Sequence, residues 1–271
     1  MTGSSGAARP LGHVYAVGRY VMGRSRALGR SVDFLGLTVI ALFRLATGRS
    51  RASRRAFAIA FQESGVETLP IVAVMSAASG GVLSLLAAQQ LDKLGAPVLA
   101  PKLTGIAILG ELGALITGIA VAGRVASAYA AEIASSRAAG ADAPISVETF
   151  EALVMPRVFG LVLSVPLLVT YANTCAILGG TAIAAGLLGS TVRQHFDGMM
   201  SALTIALGVA GLVKGAVFGL VAALAGCYYG LSAETGPGGI GRAVRRAVVS
   251  AVVAVAVADV ALTFVLKWVP L

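Results

Sequence analysis

Charge is scarce in this 271-residue chain: Asp, Glu, Lys and Arg make up 12% of it, against roughly a quarter in ordinary soluble domains. Aromatics reach only 6%, and there are two cysteines and two histidines. Cys175 and Cys227 fall in apolar stretches, and His13 and His195 lie far apart, so no metal-ligand spacing exists and no structural disulfide is expected. Serines lack a His and Asp arrangement around them. No GxxxxGK[ST] phosphate loop occurs; the nearest lookalike, GVAGLVKG at Gly208–Gly215, sits inside an apolar run without a strand before it. No catalytic residue, metal site or bound cofactor is therefore expected, and the chain is not expected to hydrolyse ATP by itself.

Apolar residues are what it has. They form 57% of the chain, and the mean hydropathy is +0.89. Those values exclude an ordinary water-soluble domain and point to an all-α integral membrane protein that crosses the bilayer several times. Its 34 glycines suit helices that approach closely in lipid. The net charge of +9 would suggest nucleic acid in a soluble protein. In a membrane protein it reports orientation instead, because cations collect on the cytoplasmic side.

Residues 1–33 are polar and basic and lack the pattern of a cleaved signal, so a cytoplasmic N-terminal segment is expected. Phe34–Gly48, FLGLTVIALFRLATG, is too short to cross, and Arg44 interrupts it. Arginines on both sides fit an amphipathic helix lying in the headgroup plane; an amphipathic helix packed on its own protein is the alternative. Five apolar stretches follow, at about 68–91, 103–125, 158–184, 203–229 and 247–268. The second is expected to continue as helix through Glu132. An N-in, C-out arrangement places 16 cations inside and only Lys93, Lys102, Arg193 and Lys267 outside.

Glu111, Lys214 and Asp259 lie deep within three of these stretches, about 8, 11 and 9 residues from their outer ends. At about 1.5 Å per residue, all three fall roughly 12–17 Å below the outer surface. An isolated charge at mid-bilayer costs about 2.5–3.5 kcal/mol on insertion scales. Two acids paired with one lysine in a protein-lined space avoid most of that cost. Such a cluster is either part of a transport pathway or a polar lock that sets helix register. Gly211, Gly215 and Gly219 recur every four residues beside Lys214 and predict a close helix contact. Pro166 predicts a kink in the third crossing. Arg124 and Glu132 are candidates for an ion pair at the inner side, near a cytoplasmic loop at about 134–156. In that loop Ser146–Leu153 reads as a short helix, with Ser146 as cap and acids in its first turn.

Several segments in order resemble one family. GVETLPIV at Gly65–Val72 is similar to its entry into the first crossing. ELGALITGIAVAGR at Glu111–Arg124, continuing as VASAYAAEI, resembles the family's ELGPVLTALMVAGR and VGSAxAAEL. Pro156–Arg157, VPLL at Val165–Leu168 and ILGG at Ile177–Gly180 follow. Lys214 and Asp259 fall where the family places its membrane lysine and aspartate. On these residues the chain resembles the MlaE/YrbE family of ABC-transporter permeases, over about residues 30–268. Ala114 replaces the family's proline after ELG. SSRAAGADAP at Ser135–Pro144 also intervenes before ETFEAL at Glu148–Leu153, which resembles the family's EQIDAL segment.

The resemblance implies a permease domain over residues 34–271 in the cell inner membrane. It implies a homodimer, or a pair with a paralogous permease. The partners would be cytoplasmic ABC ATPases holding ATP and Mg, with an MCE-domain protein on the periplasmic side. The cargo would be a phospholipid or similar amphiphile moved between inner membrane and envelope. The segment carrying Glu148, Phe150, Glu151 and Leu153 would be the coupling helix to the ATPase. Read from its residues alone, the chain also fits an ion-coupled secondary transporter using the buried carboxylates, or a membrane scaffold that transports nothing.

Overall fold

The computed structural model describes residues 34, 36–38, 40, 54–138, 147–187, 189, 191–234 and 236–268. Among these, every regular element is helical and there is no strand. We number the helices α1 (Arg54–Gly65), α2 (Leu69–Lys93), α3 (Ala100–Ala107), α4 (Gly113–Ala138), α5 (Val147–Leu187), α6 (Val192–Met200), α7 (Ile205–Leu231) and α8 (Pro237–Trp268). Five helical runs are long and apolar enough to cross a membrane: Arg55–Lys93, Pro97–Ala138, Phe150–Leu187, Ile205–Leu231 and Gly238–Leu266.

All but the fourth run are longer than the apolar stretch that reveals them, because polar and apolar helical turns join without a break. α1 passes into α2 through a 3-10 turn at Val66–Thr68. Within that join the Ser64 and Thr68 hydroxyls donate to Ala60 O at 2.6 Å and Ser64 O at 2.7 Å. α4 runs past Glu132 to Ala138. The segment expected as a separate loop helix is the first part of α5, a single helix of 41 residues that carries Pro156 and Pro166 in its interior. At 1.5 Å per residue it measures roughly 60 Å, longer than a bilayer with its headgroups. α8 begins at Pro237, ten residues before the expected start.

The buried core lies where α4, α5 and α7 meet, around Tyr129, Ile133, Phe150, Met155, Leu161 and Phe218. α2 and α8 flank it and turn Val74, Val82 and Leu86, and Val253, Val257 and Phe264, outward. In a membrane those side chains meet acyl chains. Small residues set the helix spacing. A Cβ on Gly80 would collide with the Ala176 carbonyl and one on Gly179 with the Ala77 carbonyl, so α2 and α5 touch backbone to backbone. On α7, a Cβ at Gly219 would lie 2.6 Å from Leu161 O, and one at Gly215 would lie 3.0 Å from Pro166 Cα. The expected close face is thus the seat of the proline-bearing part of α5. Gly211 differs, since its added Cβ would meet Val169 at an ordinary 3.6 Å.

Most of the segment at about 34–48, and all of residues 1–33, lie outside the described residues. Phe34, Gly36–Thr38 and Ile40 are helical. Phe34 is buried, its ring edge-on to Phe150 and Tyr228 with centroids 5.4 and 5.5 Å away. The described part of this helix therefore packs on the bundle, while Ile40 remains exposed.

Candidate functional site

Three helix segments meet around Lys214. The first is a π-helical turn, Ile108–Leu112, that joins α3 to α4 and contains Glu111. A π turn holds one more residue than an α turn, which leaves part of the backbone ladder out of register. The second segment is α7, which presents Lys214. The third is α8, which presents Asp259 and, one turn later, Thr263.

Lys214 is 1% exposed, and every polar neighbour recorded around it points at its ammonium. Nζ lies 2.5 Å from Glu111 Oε2 and 3.0 Å from Asp259 Oδ1. It also donates to Thr263 Oγ1 at 2.8 Å and to the Gly110 carbonyl at 3.4 Å. Asp259 Oδ1 contributes by charge rather than by an aligned hydrogen bond. The Thr263 hydroxyl has one proton and three acceptors in reach, Glu111 Oε1 at 3.0 Å, Glu111 Oε2 at 3.3 Å and its own helix's Asp259 O at 2.8 Å. A buried ammonium with three donors is thus matched by two carboxylates, a hydroxyl and a carbonyl. Desolvation costs least when all these partners are present.

The cluster is closed on one side and open on the other. The Asp259 side chain is 13% exposed, whereas that of Glu111 is 43% exposed. With all three groups ionised the cluster carries a net charge of −1, and Glu111 is its accessible edge. The arrangement can hold three helices together around one buried cation.

The inner side departs from expectation. Arg124 and Glu132 do not pair. Arg124 Nη2 pairs with Glu67, and its Nη1 donates to Glu63 O and Thr68 Oγ1, both at 2.9 Å. Glu132 instead meets Arg157 Nη2 at 2.7 Å. Arg157 also lies over the Tyr129 ring, 5.5 Å from its centroid, and donates to Leu153 O at 2.6 Å. The reason is axial. Arg124 and Glu132 are two helical turns apart on α4, beyond the three- or four-residue spacing at which side chains meet. Each therefore takes the neighbour at its own level, Arg124 the 3-10 turn that leads into α2 and Glu132 the inner part of α5. Glu63, Glu67, Arg124, Tyr129 and Glu132 line an open cavity of about 310 Å³ there.

The residues expected on a coupling helix are divided. Phe150 and Glu151 are buried within the chain, at 1% and 2% exposure, and Leu153 packs against the core. Glu148 lies in the first turn of α5. Residues 139–146, most of the expected loop, are outside the described residues.

Sequence reasoning missed three parts of the site. Thr263 was legible, since i, i+4 places it directly over Asp259 on one helix face. The π turn has no residue signature. Helix α6 lies between the apolar stretches at about 158–184 and 203–229, where hydropathy gives no sign of it; its signal is the capping spacing of Thr191 and Gln194, and Thr191 Oγ1 does accept from the Gln194 amide. Among the described residues no group of three or more His, Cys, Asp or Glu is placed to hold a metal.

Comparisons with known proteins agree with this architecture. A model of the family described as Permease MlaE matches residues 57–265, from α1 to the Thr263 turn of α8. A probable ABC transporter permease protein of Rickettsia felis is 30% identical over 202 residues, covering 73% of this chain and 78% of the relative. A probable ABC transporter permease protein of Synechocystis is 30% identical over 192 residues, covering 70% of this chain and 64% of the relative. A chloroplastic protein of Arabidopsis thaliana, trigalactosyldiacylglycerol 1, is 25% identical over 187 residues, covering 68% of this chain and 47% of the relative. With five apolar helices of crossing length and a family match over most of its length, the chain is a multi-pass membrane protein that belongs to the MlaE family of ABC-transporter permeases.

Proposed function

We propose that the chain is the membrane subunit of a transporter that moves a phospholipid or similar amphiphile between the inner membrane and the cell envelope. Two copies, or one copy and a paralogue, enclose the lipid. Separate cytoplasmic ATPases supply the energy from ATP and Mg, and an MCE-domain protein receives or delivers lipid outside. The N-terminus lies in the cytoplasm. In this reading the first turns of α5 meet the ATPase, and movement there reaches the Lys214 cluster through the unbroken 41-residue helix and the glycines of α7 seated on it. Glu111 leaves or rejoins Lys214 as the π turn shifts, while Asp259 and Thr263 keep the lysine satisfied.

The observation that carries the reading is the cluster itself: a fully buried lysine shared by two acids from different helices, one of them half-exposed at a helix irregularity. A lock that only fixed register would need neither the exposed carboxylate nor the π turn. The Arabidopsis relative, named for a diacylglycerol glycolipid, supports a lipid cargo.

The test is ATP hydrolysis by the purified chain with its ATPase, reconstituted with and without phospholipid. Lipid-stimulated hydrolysis, reduced by Glu111→Gln, is the expected result. Lipid movement in proteoliposomes of this chain alone, with an ion gradient and no nucleotide, would establish the secondary-transporter alternative instead.

A further inference from the structure

At the far end of the bundle from Arg124 lies a second cavity, also of about 310 Å³, where α2, α3 and α6 converge. Its walls include Pro97 and Pro101, and its polar groups are Gln89, Asp92 and His195. His195 is 2% exposed, and its Nε2 is buried without a hydrogen-bond partner. A buried imidazole nitrogen left unpaired costs stability and requires an explanation. Burial also lowers the basicity of this ring, which keeps it neutral and leaves a nitrogen able to accept. No described residue forms an ion pair with Asp92.

The local fold holds this cavity open. Gly95, at φ +69°, turns the chain from α2 toward Pro97, a backbone conformation that favours glycine. α6 is seated tightly against α3: a Cβ on Gly198 would lie 2.7 Å from Pro101 Cβ, and one on Gly105 would lie 2.5 Å from Met199 O. The helix that carries His195 is therefore fixed against α3, with His195 in the wall of the cavity.

We propose that this cavity binds the primary ammonium group of a membrane lipid headgroup, as in phosphatidylethanolamine. An ammonium carries three N–H donors, and the site offers an imidazole nitrogen, an amide oxygen and a carboxylate. A divalent metal has too few ligands here, since no third His, Cys, Asp or Glu stands with these groups. An anion would meet the charge of Asp92. A quaternary ammonium has no N–H to give His195, and no Phe, Tyr or Trp lines the cavity to receive it by cation–π contact. The source is lipid because the cavity sits at the turn between the spans Arg55–Lys93 and Pro97–Ala138, the level of the headgroups. Lys93 and Lys102, both exposed beside that turn, supply cations for the adjoining phosphate. This site is separate from the Lys214 cluster, and its occupancy requires neither nucleotide nor transport.

The experiment uses the full chain alone in nanodiscs, with bound lipid counted by native mass spectrometry. Wild type is expected to retain phosphatidylethanolamine over phosphatidylcholine. Asp92→Asn and His195→Ala are each expected to reduce that preference about tenfold, the usual worth of a hydrogen bond to a charged group. His195→Gln, which restores an acceptor, is expected to recover much of it. Asp92 is exposed, so its variant folds even if the histidine variants do not. Equal retention of the two lipids by wild type overturns the proposal, as does an unchanged preference in Asp92→Asn. Binding of soluble phosphoethanolamine to phosphatidylcholine nanodiscs without any preference for the lipid form would overturn the lipid source. Because no ATPase is present, failure here leaves the transport reading intact, and the reverse also holds.

Discussion

Replacing Lys214 by methionine keeps the length and most of the volume of the side chain while removing its charge and three donors. The variant leaves Glu111 and Asp259 facing the space the ammonium occupied, and strands the Gly110 carbonyl. Removing one partner of a buried ion pair costs about 3–5 kcal/mol, most of it from the charge left behind. The lower end applies here, because the Glu111 side chain is 43% exposed and recovers part of its solvation. At about 2–4 °C per kcal/mol for a chain of this size, the thermal midpoint should fall by roughly 6–12 °C. Glu111→Gln in the same chain removes one of the two stranded charges, so the double variant should lie above Lys214→Met and below wild type. The midpoint in one detergent and the yield of folded protein, measured for wild type, both single variants and the double, form a double-mutant cycle whose coupling term reports the pair. A Lys214→Met chain as stable as wild type would refute the reasoning, as would a double variant less stable than the lysine variant alone.

Thr263→Val should lower stability by about 1 kcal/mol and Thr263→Ser should not, because it is the hydroxyl of this side chain, not its methyl, that bonds Glu111 and Lys214; thermal midpoints of the two variants check this. Gly219→Ala should cost about 1–3 kcal/mol by forcing α7 off the Leu161 carbonyl, while Gly211→Ala, with ordinary contacts, should be near neutral by the same measurement. Burial lowers the His195 pKa, so as pH falls the unfolded chain takes up a proton before the folded one. Its contribution to stability is present above about pH 6.5, the unfolded value, and is lost as pH falls through the lower folded value. A midpoint-versus-pH curve should show this decline, and His195→Gln should flatten it.

The five crossings were readable because a bilayer demands runs of about 20 apolar residues, and few other arrangements produce them. Helix ends were less readable for the opposite reason. Outside the apolar layer a helix continues for as long as its backbone bonds are satisfied, and no composition change marks the stop. Pro156, which in a short soluble helix would argue for a boundary, lies inside α5 between Phe150 and Leu161, both buried in the same core. Packing on α4 and α7 outweighs the missing backbone bond there.

The two charged groups show where sequence reasoning reaches and where it stops. Counting residues from a membrane edge yields depth, and depth alone was enough to bring Glu111, Lys214 and Asp259 to one level, since three charges in one apolar layer have few places to go but toward each other. Arg124 and Glu132 also lie on one helix at neighbouring depths, yet at the bundle's end water and other acids compete, and a cation there takes whichever carboxylate its own face meets. Arg124 meets Glu67, on the 3-10 turn before α2, while Glu132, two turns further along α4, meets Arg157 of α5. Which element reaches which level depends on packing through glycine contacts such as Gly80 with Ala176 and Gly226 with Ala126, pairs about a hundred residues apart in the chain. Spacing within a single helix does not encode which neighbour arrives at which face. Charge pairing is thus legible from sequence where low dielectric removes the alternatives, and it becomes a property of the packed bundle where solvent restores them.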